Sequence, residues 1–195
     1  MPDPSFELRT ERLLLRPWQT EDADDFAAMN AEEDVMADLG GPLTRQQSDA
    51  KLDRYKRSLE LDGITRWVVA TPSGRFLGYC GCVQQTDEHP LGNHIDIGWR
   101  LTRSAWGNGY ATEAAKGAID DAFAQTTCSE ILAYTASGNL RSQAVMRKLG
   151  LERQPHRDFR AHYPDVGPWH GLVWAAHRPS ALHPLPTTSR RAHQE

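Results

Sequence analysis

The chain has 195 residues, 39% of them hydrophobic and 25% charged, with a formal net charge of −4. That length fills one core rather than two, the composition is that of an ordinary globular protein, and the negative balance argues against nucleic acid as the main partner. No stretch approaches the roughly 18 apolar residues of a spanning helix, and Met1-Pro2-Asp3-Pro4 lacks the basic and apolar regions of a signal peptide, so a single cytoplasmic domain over residues 1–178 with no membrane partner is expected.

Leu13-Leu14-Leu15, closed by Pro17, reads as a first strand. Thr20 then offers a helix N-cap, followed by acids that suit the positive end of the dipole. Between Arg16 and Arg45 there is no Lys or Arg, while Glu21, Asp22, Asp24, Asp25, Glu32, Glu33, Asp34 and Asp38 accumulate. Such a run is either a solvated helix face or a field that draws in a cationic acceptor. A second helix starts at Thr44, where Thr44 and Gln47 have capping-box spacing, and stops at Gly63.

The period then changes. Trp67 to Ala70, the turn Thr71-Pro72-Ser73-Gly74, and Phe76 to Val83 form a hairpin, and His94 to Leu101 adds another antiparallel strand. From Ala111 a stripe of Ala114, Ala115, Ala118, Ile119, Ala122 and Phe123 predicts a helix that packs closely on a sheet. Ile131 to Tyr134 is a short strand, and Asn139 to Leu149 a helix ended by Gly150. Pro155, Pro164, Gly167 and Pro168 predict a long loop before a last strand, Leu172 to Ala176. The residues from 179 to 195 are proline-rich, polar and aperiodic, and read as a mobile tail.

Cys80, Cys82 and Cys128 lack the spacing of a metal knuckle and read as small strand residues. The histidines are scattered, without a His-Glu-x-x-His pair, so no metal is expected. The segment Trp106-Gly107-Asn108-Gly109-Tyr110-Ala111-Thr112 is the chemically informative one. A helix N-terminus offers unpaired N–H groups and about half a positive charge, and glycines leave the backbone open to a phosphate. A Walker loop would need Lys-Ser/Thr after the glycines, and a dinucleotide loop a third glycine. A plain turn remains compatible with these residues alone.

Ile97-Gly98-Trp99-Arg100-Leu101 followed by Trp106-Gly107-Asn108-Gly109-Tyr110-Ala111-Thr112-Glu113-Ala114 resembles the acyl-CoA motif of the GNAT superfamily of N-acetyltransferases. The resemblance is nearest to the branch of ribosomal-protein N-terminal acetyltransferases. Arg9-Thr10-Glu11-Arg12-Leu13-Leu14-Leu15-Arg16-Pro17, Asn139-Leu140-Arg141-Ser142 and Lys148-Leu149-Gly150-Leu151 agree with that branch, so the likeness spans residues from about 7 to 176. Trp106 stands where the family pattern has Arg or Gln.

The resemblance implies an α/β (α+β) fold with a mixed, mostly antiparallel sheet of about seven strands, splayed in the middle and flanked by about four helices. It implies acetyl-CoA as co-substrate, bound by Leu101, Thr102, Trp106, Gly107, Asn108, Gly109, Tyr110, Ala111, Thr112, Asn139 and Ser142. Ser142 would act as acid toward the CoA sulfur and Asp96 as base, directly or through water, with His94 and Glu33 as weaker candidates; a backbone N–H from Trp99 to Leu101 would polarise the thioester. Glu33, Asp34, Trp99 and the loop from about His156 to Trp169 would meet the acceptor, a protein N-terminus or a small amine such as a polyamine or aminoglycoside. A homodimer is common among such relatives. A domain that senses acyl-CoA with little catalysis uses the same cradle and remains a second reading.

Overall fold

A computed structural model describes residues 7–163 and 167–179. The expected tail therefore lies, from residue 180 onward, outside the described residues. Strands β1 (Leu8–Arg9), β2 (Leu14–Arg16), β3 (Arg66–Ala70), β4 (Phe76–Gln85) and β5 (His94–Leu101) form a continuous antiparallel run. β6 (Glu130–Ala136) lies parallel to β5, and beyond it β9 (Gly167–His177) is paired antiparallel with β6 on one edge. β7 (Glu152–Arg153) and β8 (Phe159–Tyr163) pair with β9. The helices are α1 (Asp22–Ala31), α2 (Glu33–Met36), α3 (Arg45–Asp62), α4 (Tyr110–Gln125) and α5 (Leu140–Lys148).

The second predicted helix, α3, carries its capping box in place: Gln47 N donates to Thr44 Oγ1 at 3.2 Å and Thr44 N to Gln47 Oε1 at 2.8 Å. Gly63 ends it in the left-handed region at φ 70°, where glycine carries no Cβ penalty. The expectation that Thr20 caps α1 is corrected, because Glu21 holds the N-cap position without a side-chain bond. Asp22 fixes that turn instead, accepting from Gln19 N and from both ends of the Arg16 fork at 2.7 Å.

The sheet exceeds the expected seven strands because β1 and β7 have two residues each, too few to show a period. The four-residue α2 is hidden for the same reason. The long loop expected before the last strand is corrected to a hairpin, with Phe159 paired opposite Gly171 and Ala161 opposite Trp169. Cβ positions built at Gly171 would fall 2.6 Å from the Phe159 ring and 2.5 Å from Trp169. The absent side chain thus lets two aromatic residues close over a strand that the prolines appeared to forbid.

The sheet divides the core. On one face α4 sets Ala114, Ala115, Ala118, Ala122 and Phe123 against Leu15, Val69, Cys80 and Ile97. On the other, Phe26 and Met29 of α1 and Leu52 and Tyr55 of α3 cover Val68, Ala70 and Tyr79. Alternation along β5 sends Ile95, Ile97 and Leu101 into the first layer; Asp96, Gly98 and Arg100 therefore face the second. β5 and β6 share one ladder position, Asp96 opposite Leu132, and then diverge, leaving a gap.

Candidate active site

On the α4 side of the gap lies a cavity of about 300 Å³ lined by Trp99, Leu101, Trp106, Gly107, residues 109–112, Asn139 and Ser142. Gly107 and Gly109 both have φ 79°, and Gly109 is the N-cap of α4. Only glycine adopts that region routinely, so both positions are fixed by conformation as well as by access. A Cβ at Gly107 would meet no atom within 4 Å, which leaves its backbone open to the cavity. Among the described residues the amides of residues 107–111 donate to no protein acceptor, whereas those of Thr112 and Glu113 bond to Gly109 O. This is an N–H array at the positive end of a 16-residue helix.

The loop is braced from the N-terminal segment. Glu113 accepts from Thr10 Oγ1 at 2.6 Å and from Arg12 N and Nε at 2.7 Å, and Arg12 Nη1 donates to Asn108 O at 3.0 Å. Partial burial pushes the Glu113 carboxyl up, but the Thr10 and Arg12 hydrogen bonds outweigh it and hold the group below its usual range. Asn108 turns its amide to Ala105 O and Trp106 O, shaping the turn rather than lining the cavity. Trp106 donates Nε1 to Leu101 O at 2.9 Å, and its ring lies 3.9 Å from the Arg141 guanidinium and 4.6 Å from that of Arg103. The Trp in place of the family's polar residue thus anchors two cations at the cradle.

Along β5, Thr102 N donates to Leu77 O of β4 at 2.9 Å. The expected contact of Thr102 with a pantetheine arm is corrected: its amide is spent on β4, and it does not line the cavity. By alternation the amides of Trp99 and Leu101 point the other way, into the gap. At the far wall Asn139 Oδ1 accepts from Ser142 N at 2.9 Å, capping α5 and turning Ser142 toward the cavity. Arg141 and Lys148, seven residues apart on α5, line the same wall. Sequence reasoning passed over both, although their helical spacing from the Asn139–Ser142 motif was available.

On the α3 side a second cavity, of about 520 Å³, takes Lys51, Arg54 and Arg57 from α3, Arg66 from β3, Asp96 from β5 and Tyr134 from β6. Parallel register places Tyr134 opposite Gly98, two residues past the last paired position, so this cavity reaches the gap from the other face.

Asp96, expected as a base acting directly or through water, lines the α3-side cavity but is held by other side chains. It is only 4% exposed. One carboxylate oxygen takes Arg66 Nη2 at 2.5 Å and the other Gln85 Nε2 at 2.8 Å. Arg66 also donates to the carbonyls of Gly81 and Asp96. Burial opposes the Arg66 charge, but Asp96 together with Tyr55, Cys82 and Tyr79 outweighs it and raises the guanidinium above its ordinary value. A Cβ on Gly98 would fall 2.9 Å from this guanidinium, so Gly98 is the recess in which the ion pair lies.

Of the acid run between Arg16 and Arg45, Asp38 lines the α4-side cavity and the others line neither. Asp22 pairs with Arg16, Asp24 with Arg45 and Asp34 with Arg103. Glu33 and Asp34, expected to hold the acceptor, line neither cavity; α2 contributes Val35 to the α4-side one. Trp99, expected beside the acceptor, lines that same α4-side cavity. His94 holds Gly92 O at 2.7 Å through Nδ1 and belongs to an aromatic group with His89 and Tyr134. The thiols of Cys80 and Cys82 are pushed up by burial, Cys80 to about 12, as inert strand residues. Among the described residues no group of His, Cys, Asp or Glu has the arrangement to hold a metal, and no helix is long and apolar enough to cross a membrane.

Comparison with known proteins identifies the family. Residues 12–152 match the acetyltransferase (GNAT) domain profile. The uncharacterized protein YkkB of Bacillus subtilis (strain 168) is 31% identical over 147 residues, covering 74% of this chain and 84% of that protein. The crystal structure of the acetyltransferase from Agrobacterium tumefaciens str. C58 is similar with a TM-score of 0.74 at 25% identity, over 88% of this chain and 94% of that one. RimL, a ribosomal L7/L12 alpha-N-protein acetyltransferase, has a TM-score of 0.70 over 88% of this chain and 94% of its own, at 12% identity, and speaks for the fold alone.

Proposed function

This chain belongs to the GNAT acetyltransferase family, and on that premise we propose that it transfers the acetyl group of acetyl-CoA to the nitrogen of a primary amine by direct attack. The observation that carries the proposal is the row of unpartnered amides at residues 107–111, opening on a cavity that ends at Ser142. A pyrophosphate suits that array, since fixed N–H dipoles at a helix N-terminus stabilise anionic oxygens without a lysine in the loop. Arg141 and Lys148 add mobile cations on the facing wall.

Acetyl-CoA, when bound, supplies a thioester that an amine can attack. The outward amides of Trp99 and Leu101 are the donors for its carbonyl oxygen, a role that lowers the barrier as negative charge develops there. Ser142 supplies a proton at the sulfur, its hydroxyl directed by the Asn139 bond to its own amide. The attacking nitrogen enters from the α3 side, past Tyr134, and loses its proton to water in that cavity. Asp96 acts as a positioning residue: it holds Arg66 in the recess at Gly98 and so keeps the α3-side opening in shape.

The acceptor named for RimL, a ribosomal protein N-terminus, is one candidate class, as are small amines. A test is to incubate the protein with acetyl-CoA and a panel of peptides and small amines, following free thiol and product mass. Thiol release with a matching mass gain of one acetyl on an amine supports the reading. Stabilisation by CoA with no acetylation of any acceptor would instead make the domain a sensor of acyl-CoA.

A further inference from the structure

Both cavities are lined by more cations than acids, and the α3-side one therefore has the sign opposite to that expected of a receptor for polyamines. Its Arg66 and Asp96 cancel in their ion pair, leaving Asp62 alone against Lys51, Arg54 and Arg57. Among the described residues no carboxylate forms an ion pair with any of these three cations. Lys51 is the half-buried one; burial pulls its ammonium down to about 8, opposed by Tyr79 and helped by Arg100 and Arg54. Its nitrogen and the Arg100 guanidinium both lie 5.7 Å from the centre of the Tyr79 ring.

Arg100 adds a further cation at the gap. It is 9% exposed, yet its hydrogen bond is to the Met36 thioether at 2.8 Å, a weak acceptor that carries no charge. It stands two residues beyond Gly98 on the same face of β5 and reaches the α4-side cavity. Positive charge therefore lies on both sides of the gap, and on the α3 side a partly desolvated cation gains from a matching anion.

Building on the transferase reading above, we propose that the acceptor is a small primary amine that also carries an anionic group, a carboxylate or a phosphate, docked on Lys51 and Arg54 with its amine directed at the gap. Asp22, Asp24 and Asp34 are paired with Arg16, Arg45 and Arg103, and none of the acid run lines the α3-side cavity. Arg57 at the mouth adds attraction that salt screens.

The test compares amines matched in length: β-alanine against its amide, phosphoethanolamine against ethanolamine, and spermidine, each with saturating acetyl-CoA. At least one anionic amine should exceed its neutral partner about tenfold in kcat/KM, the size of one charge-assisted contact, and which pair does so separates carboxylate from phosphate. In Lys51→Met and in Arg54→Gln that ratio should fall toward one through KM. Spermidine or a neutral amine turned over as well as the anionic ones overturns this inference and leaves the transferase reading standing. Acetylation of none of them or of any peptide, with CoA still stabilising the protein, overturns both. A preference that survives both substitutions also overturns the inference, since the anion would then be held elsewhere.

Discussion

The cradle at the start of α4 and the recess around Arg66 face each other across β5, and they are built by different means. The cradle is backbone: consecutive amides, two glycines at φ 79° and a dipole, all within residues 106–112. The recess is side chain: Arg66 on β3, Gln85 on β4, Asp96 on β5 and Lys51 on α3. Backbone sites are written as contiguous motifs, whereas the Arg66–Asp96 pair joins positions 30 apart with no local pattern between them. The cradle is therefore readable from the chain, and the recess is not.

The largest effect that would sharpen this contrast belongs to the recess. Asp96→Asn keeps the shape but leaves Arg66 buried without a counter-ion, and should cost about 3–5 kcal/mol in urea denaturation. If Asp96 were also the catalytic base, the variant would in addition lose most of its kcat and the acidic limb of its pH–rate profile. Next comes Ser142→Ala, expected to lower kcat by about 10²-fold with CoA affinity little changed, as loss of a proton donor requires; unchanged kcat removes Ser142 from that role.

In the cradle, Gly109→Ala forces a left-handed position on a residue with a Cβ, costing about 1–2 kcal/mol. Thermal unfolding should show that loss, and the stabilisation by CoA should shrink with it. If stability alone changed, the glycine would serve the turn and not the ligand. The smallest effect concerns the Arg12–Glu113 brace. Because the folded Glu113 carboxyl sits below its ordinary value, its contribution is present above the unfolded pKa and lost as pH falls through the folded one. Glu113→Gln should therefore lose about 1 kcal/mol near pH 7 and less at low pH, narrowing the gap to wild type.

The same division explains what the sequence revealed of the fold. The alanine stripe of α4, the Thr44–Gln47 box and the alternation of β5 are repeated, local signals, and each appears where the period places it. Thr20 failed as a cap because Asp22 was claimed by Arg16, a contact no helix-start rule contains. The prolines at 164 and 168 suggested a loop because the packing of Phe159 and Trp169 over Gly171 is visible only once β8 lies on β9. Glu33 and Asp34 pointed to a cationic acceptor through the family resemblance and an acid-rich composition, and the ion pair of Asp34 with Arg103 shows how little an acid-rich stretch says about the charge of a distant cavity.

The central claim is that the unpartnered amides at the start of α4 hold the phosphates of acetyl-CoA. Hydrogen exchange resolved to single amides, with and without saturating CoA, measures this directly. Protection rising at residues 107–111 and at Trp99 and Leu101, with α3 unchanged, is the expected result. Saturation by CoA with those amides exchanging as before would contradict it.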